Sequence, residues 1–276
     1  MTIPGSLIDR TGILLREASD RFILPRFRAL AHGEVEEKSP GEVVTIADRE
    51  AEAWLTPRLA ALVPGSRVVG EEAVEAAPRL LEGLDRGLAW LVDPVDGTAN
   101  FVSGSPRFAV MAALLRDGAA LAAWILDPVT GTLAAAERGA GAAMDGIAMR
   151  VPAVLPEPAK LHGALHCRFM PPAVREVVEA RQGAFASTFG GLGCAGHEYR
   201  DLAAGARDFS VYWRTHPWDH VPGALLLSEA GGRAARLDGS PYRAGDNRTG
   251  LLAAISPEAW EAVRRELGLE VLGAEC

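Results

Sequence analysis

The stretch Trp90-Leu91-Val92-Asp93-Pro94-Val95-Asp96-Gly97-Thr98-Ala99-Asn100-Phe101 decides how the rest of the chain is read. It continues an apolar run, Leu88 to Val92, whose length and composition predict a buried strand. Asp93-Pro94 is expected to end that strand, because proline has no N–H to give to a sheet. Asp96-Gly97-Thr98 reads as a tight turn in which glycine adopts backbone angles that other residues resist. Two carboxylates three residues apart therefore stand where a strand stops, with a hydroxyl two positions beyond the second. Hard cations such as Mg2+ take oxygen ligands and are often held by a few carboxylates plus the phosphate oxygens of a substrate. Taken alone, Asp-Pro-x-Asp-Gly is equally an ordinary turn, so its neighbours must decide.

Composition narrows the classes. The 276 residues are 49% apolar and 23% charged, as in an ordinary globular protein long enough for one large domain or two smaller ones. A net charge of 28 − 36 = −8 gives no reason to expect nucleic acid or an anionic membrane surface as partner. An anionic substrate would need local compensation, for which bound metal is the economical candidate. Cys167, Cys194 and Cys276 are odd in number and lack metal-ligand spacing, which favours a reducing compartment. Asp9, Arg10, Arg16 and Glu17 interrupt any signal-like run, and no stretch reaches the roughly 18 apolar residues of a membrane span. The expectation is a cytoplasmic protein.

Along the chain, Leu7, Ile8, Leu14, Leu15, Ala18, Phe22 and Ile23 predict an amphipathic helix ending near Pro25. A polar stretch, Gly33 to Glu42, precedes a second helix over Arg49 to Leu62, which Asp48 is placed to cap. Arg67 to Gly70 reads as a strand running into Glu71-Glu72, which alone would be a surface acidic pair. Phe108 to Leu115 and Ala119 to Leu126 suggest a hairpin, and Thr132 to Ala136 a further strand. Gly139 to Pro158, rich in Gly, Ala and Pro, is the candidate boundary between domains 1–145 and 146–276. Beyond it, short apolar runs alternate with helical patterns, which argues for an α/β architecture. Tyr199 to Ala206 is expected to be helical and Ser210 to Trp213 a strand, with Asp219 as N-cap of a helix from Val221 to Glu229.

Each acidic residue has a dull explanation alone, but their order does not. Gly70-Glu71-Glu72, then Asp93-Pro94-Val95-Asp96-Gly97-Thr98, then Trp218-Asp219 and Glu229-Ala230-Gly231-Gly232 resemble the inositol monophosphatase family. Lys38 with Val44-Thr45-x-x-Asp48 matches an upstream family element, so the likeness spans Lys38 to Gly232. It implies a layered α-β-α-β-α sandwich, Mg2+-dependent phosphomonoesterase activity on a small phosphorylated metabolite with two or three ions per site, and a homodimer. Carried over by position, Glu71, Asp93, Asp96 and Asp219 would be metal ligands together with the Val95 carbonyl. Asp48 and Thr98, with Glu71, would orient the attacking water, and the N–H groups of Gly97, Thr98 and Ala99 would receive the phosphate.

Departures bear on the substrate. An acidic residue that contacts sugar hydroxyls in the inositol-specific branch is matched here by Tyr212, and the family's Gly-Ser/Thr-Ala element by Gly193-Cys194-Ala195. Cys194, Ala195 and Tyr212 are the remaining expected substrate contacts. His220, Arg107 and the His197-Glu198 continuation also depart from the family pattern. Trp213 and Arg214 could stack on and pair with a different alcohol or a second phosphate. The reading is hydrolysis of a polyol or sugar phosphate. Its alternatives are a 3′(2′),5′-bisphosphate nucleotide or histidinol-phosphate phosphatase, and a non-catalytic regulator that binds metal or a phosphorylated ligand.

Overall fold

The computed structural model describes residues 5–39, 41–152, 157–246 and 248–272. Pro40, Cys276 and part of the Gly139–Pro158 stretch lie outside them. Helix α1 (Gly5–Ala18) runs on into a π-helical turn, Ser19–Ile23, and a 3-10 turn that holds Pro25. The polar stretch after it contains a strand the sequence does not announce: β1 (Val35–Ser39) pairs antiparallel with β2 (Glu42–Thr45). Val-Glu-Glu-Lys-Ser carries no alternating apolar pattern, so pairing across the turn at Gly41 (φ +77°) makes it a strand. Helix α2 (Ile46–Leu62) starts before Arg49 and is capped by Thr45, not Asp48. Asp48 is the third helical residue and closes a capping box by accepting the Thr45 backbone N–H at 3.0 Å.

Strand β3 (Arg67–Gly70) leads into α3 (Glu71–Ala76). It lies parallel to the central strand β4 (Leu88–Asp96), which does not stop at Pro94. Asp93 pairs with Met111 and Asp96 with Ala109, so Pro94 and Val95 together face the single residue Val110 of the next strand. The result is a bulge, where a residue without an N–H breaks no ladder bond. Helix α4 (Thr98–Val102) follows, then the expected hairpin of β5 (Ala109–Arg116) and β6 (Ala119–Leu126). Strands β7 (Leu133–Glu137), β8 (Gly141–Met144) and β9 (Ile147–Met149) complete a seven-stranded sheet in the order β3-β4-β5-β6-β7-β8-β9. The sheet thus extends into the Gly- and Ala-rich stretch read as a boundary.

A smaller sheet has the order β11-β10-β12-β14-β13, built from β10 (His162–Leu165), β11 (Ser187–Phe189), β12 (Phe209–Tyr212), β13 (Arg233–Ala235) and β14 (Leu251–Ala254). Helices α5 (Pro172–Arg181), α6 (Ala195–Ala203), α7 (Pro217–Glu229) and α8 (Pro257–Glu266) occur in this half. Alternation along β4 separates two cores. Trp90 and Val92 pack with Leu15, Leu55 and Leu59 of α1 and α2, whereas Ala89 and Leu91 join a cluster with Leu202, Leu226, Val211 and Leu252. Trp260 and Val263 of α8 close that second cluster from beyond the smaller sheet. The layers are therefore α1/α2, large sheet, α6/α7, small sheet and α8, the sandwich expected from the sequence. Among the described residues, no helix is long and apolar enough to cross a membrane.

Candidate active site

Four elements bring the acidic residues together: α2 carries Asp48, the first residue of α3 is Glu71, the bulged end of β4 holds Asp93 and Asp96, and the first turn of α7 carries Asp219. Helix α7 starts at Pro217, four residues before the expected Val221, so Asp219 lies inside its first turn and is not its N-cap. Proline is well suited to that first position, since its missing N–H would have no helical partner there. The bulge turns the β4 backbone so that both Asp93 and Asp96 are buried, at 2% and 7% exposure. Asp93 accepts the Val95 N–H at 3.0 Å.

Each of these carboxyls is pushed above its ordinary range. Burial is the main cause throughout: it lifts Asp48 to about 6 and Glu71 to about 7, the latter against the pull of Lys38. Asp93 and Asp219 are raised well above the usual carboxylate value by burial and by the charge of Glu71 and Asp96. Asp96 is raised by burial while hydrogen bonds from Cys194, Gly196 and Ala195 oppose the rise. Negative charge so concentrated calls for cations. Lys38 Nζ supplies one, 3.2 Å from Glu71 and 2.6 Å from Glu72.

The donor set fits a hard divalent ion, because every group is a carboxylate or carbonyl oxygen. Among the described residues, no three His, Cys, Asp or Glu side chains form a ready-made cation cage. Glu71 is engaged by Lys38, and Asp96 faces the start of α6, accepting the Ala195 and Gly196 N–H groups at 3.1 and 2.6 Å and the Cys194 thiol at 3.0 Å.

Thr98 ties two parts of the site together. Its hydroxyl lies 3.2 Å from Asp48 Oδ1 and 3.0 Å from the Val95 carbonyl, so one proton is shared between two acceptors. Gly97, in the left-handed region at φ +89°, turns the chain from β4 into α4. A Cβ there would lie 2.9 Å from the Gly193 carbonyl and 3.0 Å from that of Arg107. The Gly190–Cys194 loop is thus pressed onto the start of α4, and the Asn100 amide holds it by donating to the Leu192 carbonyl at 2.9 Å.

Two glutamates had no assigned role in the sequence. Glu52, buried on α2, accepts the N–H groups of Glu72 and Ala73 at 2.8 Å each and so fixes the helix start that carries Glu71. Glu198, wholly buried, accepts from His166 at 2.6 Å, from the Tyr212 hydroxyl at 3.0 Å and from the Leu192 N–H. A buried glutamate four residues after a small N-cap was visible as an irregular continuation of the Gly-Cys-Ala motif, but its side-chain partners follow β10 and end β12. Tyr212 is buried with its hydroxyl turned to Glu198, and Arg214 pairs with Glu42 while lying over Phe169. His216 stacks on Trp218, and His197 is 3.1 Å from the Phe108 carbonyl. His220 lies between the Tyr199 hydroxyl and the Arg214 carbonyl.

The model of the inositol monophosphatase family matches residues 13–267. The inositol-1-monophosphatase of Bacillus subtilis (strain 168) is 30% identical over 248 residues, 86% of this chain and 88% of its own. Nus factor SuhB of Vibrio cholerae serotype O1 is 30% identical over 239 residues, 84% of each chain. Among solved structures, the extragenic suppressor protein suhB from Bartonella henselae superposes with a TM-score of 0.82 at 25% identity, over 95% of this chain and 98% of that one.

Proposed function

This chain belongs to the inositol monophosphatase family and is a phosphatase; on that premise we propose that it hydrolyses a small polyol or sugar phosphate monoester with Mg2+. The observation that carries the proposal is the meeting of Asp48, Glu71, Asp93, Asp96 and Asp219 from four elements around the Asp48–Thr98 hydrogen bond. Glu71, Asp93, Asp96, Asp219 and the Val95 carbonyl would hold two or three ions. When bound, Mg2+ would neutralise phosphate charge, lower the pKa of water and steady the leaving oxygen.

The chain's own groups do the rest. Asp48 is an acceptor for a proton of the attacking water, and its burial leaves it basic enough for that task near neutral pH. Thr98 fixes the other side of the same water through its oxygen lone pairs while its proton is held by Asp48 or Val95. The N–H groups of Gly97, Thr98 and Ala99, at the start of α4, would receive phosphate oxygens. Glu52 holds α3, and with it Glu71, in place.

A panel of polyol, sugar, nucleotide and histidinol phosphates, assayed for phosphate release with Mg2+ and then with chelator, tests this. Chelator-sensitive release from a polyol or sugar monoester above all others is the expected result. Preference for a bisphosphate nucleotide or histidinol phosphate would replace the substrate class. No release from any compound by folded, Mg2+-binding protein would move the reading to a binding regulator.

A further inference from the structure

Strands β11, β10 and β12 are parallel and end at one edge of the smaller sheet. Open α/β sheets bind ligands outside the carboxyl ends of such strands. Here β11 hands over to the Gly190–Cys194 loop and β12 to the segment leading to Asp219, while the middle strand β10 hands over to His166. Gly191 (φ +94°) is folded against that imidazole, and a Cβ there would lie 2.7 Å from Nδ1. One loop therefore links His166 to α4 through Asn100 and to Asp96 through Cys194.

The imidazole is held on two sides. Its Nε2 is 2.6 Å from Glu198, and its ring stacks on Tyr212 with centroids 4.5 Å apart and planes 25° apart. An ionised carboxylate only accepts, so Nε2 carries a proton toward Glu198, and of the two ring nitrogens only Nδ1 can serve as an acceptor. No group among the described residues hydrogen-bonds Nδ1, and the side chain is 22% exposed. Burying a carboxylate for packing alone is costly. A fully buried glutamate with three donors fixes the direction of a histidine whose other nitrogen has no hydrogen-bond partner among the described residues.

We propose that His166 is a specificity-determining residue that accepts, through Nδ1, a hydrogen bond from a hydroxyl of the substrate's alcohol portion, with Glu198 and Tyr212 positioning it. This rests on the phosphatase reading above. It moves alcohol recognition from β12, where the Tyr212 hydroxyl is committed to Glu198, to the end of β10. The substrate class is a polyol or sugar monophosphate with a free hydroxyl near its phosphate; an aryl phosphate offers Nδ1 no donor.

Two substitutions separate the nitrogens. His166→Gln keeps a donor for Glu198 and removes the acceptor at the Nδ1 position, whereas His166→Asn keeps an acceptor there and loses the Glu198 contact. With Mg2+ present, kcat and KM are measured for glycerol 2-phosphate, myo-inositol 1-phosphate and p-nitrophenyl phosphate, alongside Tm. The expected result is that His166→Gln loses about 10-fold in kcat/KM on the polyol esters, mainly through KM, and nothing on the aryl ester. His166→Asn retains the polyol-to-aryl ratio of the wild type despite a lower Tm. Equal losses on all three esters, or no loss in His166→Gln, would overturn the proposal while leaving the phosphatase reading intact. Absence of turnover of every ester by the wild type would remove both.

Discussion

Gly97→Ala is the sharpest probe of how the fold builds the site. Gly97 has φ +89°, where an L-residue costs about 1–2 kcal/mol. The added Cβ would also meet the Gly193 carbonyl at 2.9 Å, the Arg107 carbonyl at 3.0 Å and the Cys194 Cβ at 3.1 Å. The two carbonyls are backbone, so α4 and the Gly190–Cys194 loop must move apart, at a further cost of about 1–3 kcal/mol. The expected total is a destabilisation of about 2–5 kcal/mol. Gly65 supplies the control: its φ is +83°, but a Cβ there meets nothing within 4 Å. Gly65→Ala should show the backbone cost alone and full activity. Urea unfolding in chelator measures both variants without metal linkage, and phosphate release measures the site. Separation of the loop from α4 displaces the N–H groups proposed to receive phosphate, and such misplacement costs on the order of 100-fold in rate. Equal stability losses in the two variants, with Gly97→Ala as active as wild type, would refute the reasoning.

Three further outcomes follow from the same geometry. Asp93→Asn should abolish turnover yet leave the chelated protein at least as stable as wild type by thermal unfolding, because it removes one charge from a mutually repelling, buried set. Glu52→Ala should lower stability by about 1–3 kcal/mol in urea unfolding, with a fall in kcat/KM, since two N–H groups at the start of α3 lose their acceptor. His220, buried, is depressed from 6.5 to about 3 by burial and by His166 and His216. Its folded pKa lies below the unfolded one, so between pH 6.5 and about 3 the unfolded chain binds the extra proton and stability falls as pH falls. The limiting slope is about 1.4 kcal/mol per pH unit. His220→Gln should lose that slope in pH-dependent urea unfolding; an unchanged slope would refute the assignment.

The parts of the fold legible in the sequence were those written in local pattern. Leu88 to Val92 and the two arms of the β5–β6 hairpin are apolar runs bounded by turns, and the structure makes them strands buried on both faces. Features that depend on a distant partner were not legible. β1 is polar and exists through β2, and Pro94 continues β4 because β5 leaves one residue opposite two. Thr45 outcompetes Asp48 as cap because the Asp48 carboxylate reaches back to the Thr45 N–H, a geometry that sequence spacing permits but does not choose.

The candidate site divides the same way. Glu71, Asp93, Asp96 and Thr98 stand in short motifs whose residue types declare their chemistry. Glu52 and Glu198 do not, since their partners are backbone N–H groups and rings set by strands far along the chain.

The central claim, that the buried carboxylates work as a Mg2+-dependent phosphatase site, is tested most directly by titrating Mg2+ into metal-stripped protein while recording phosphate release and Tm together. Both are expected to rise over the same Mg2+ range in the wild type, and neither in Asp93→Asn. Turnover by the stripped wild-type protein, or an Asp93→Asn variant that responds like wild type, would contradict it.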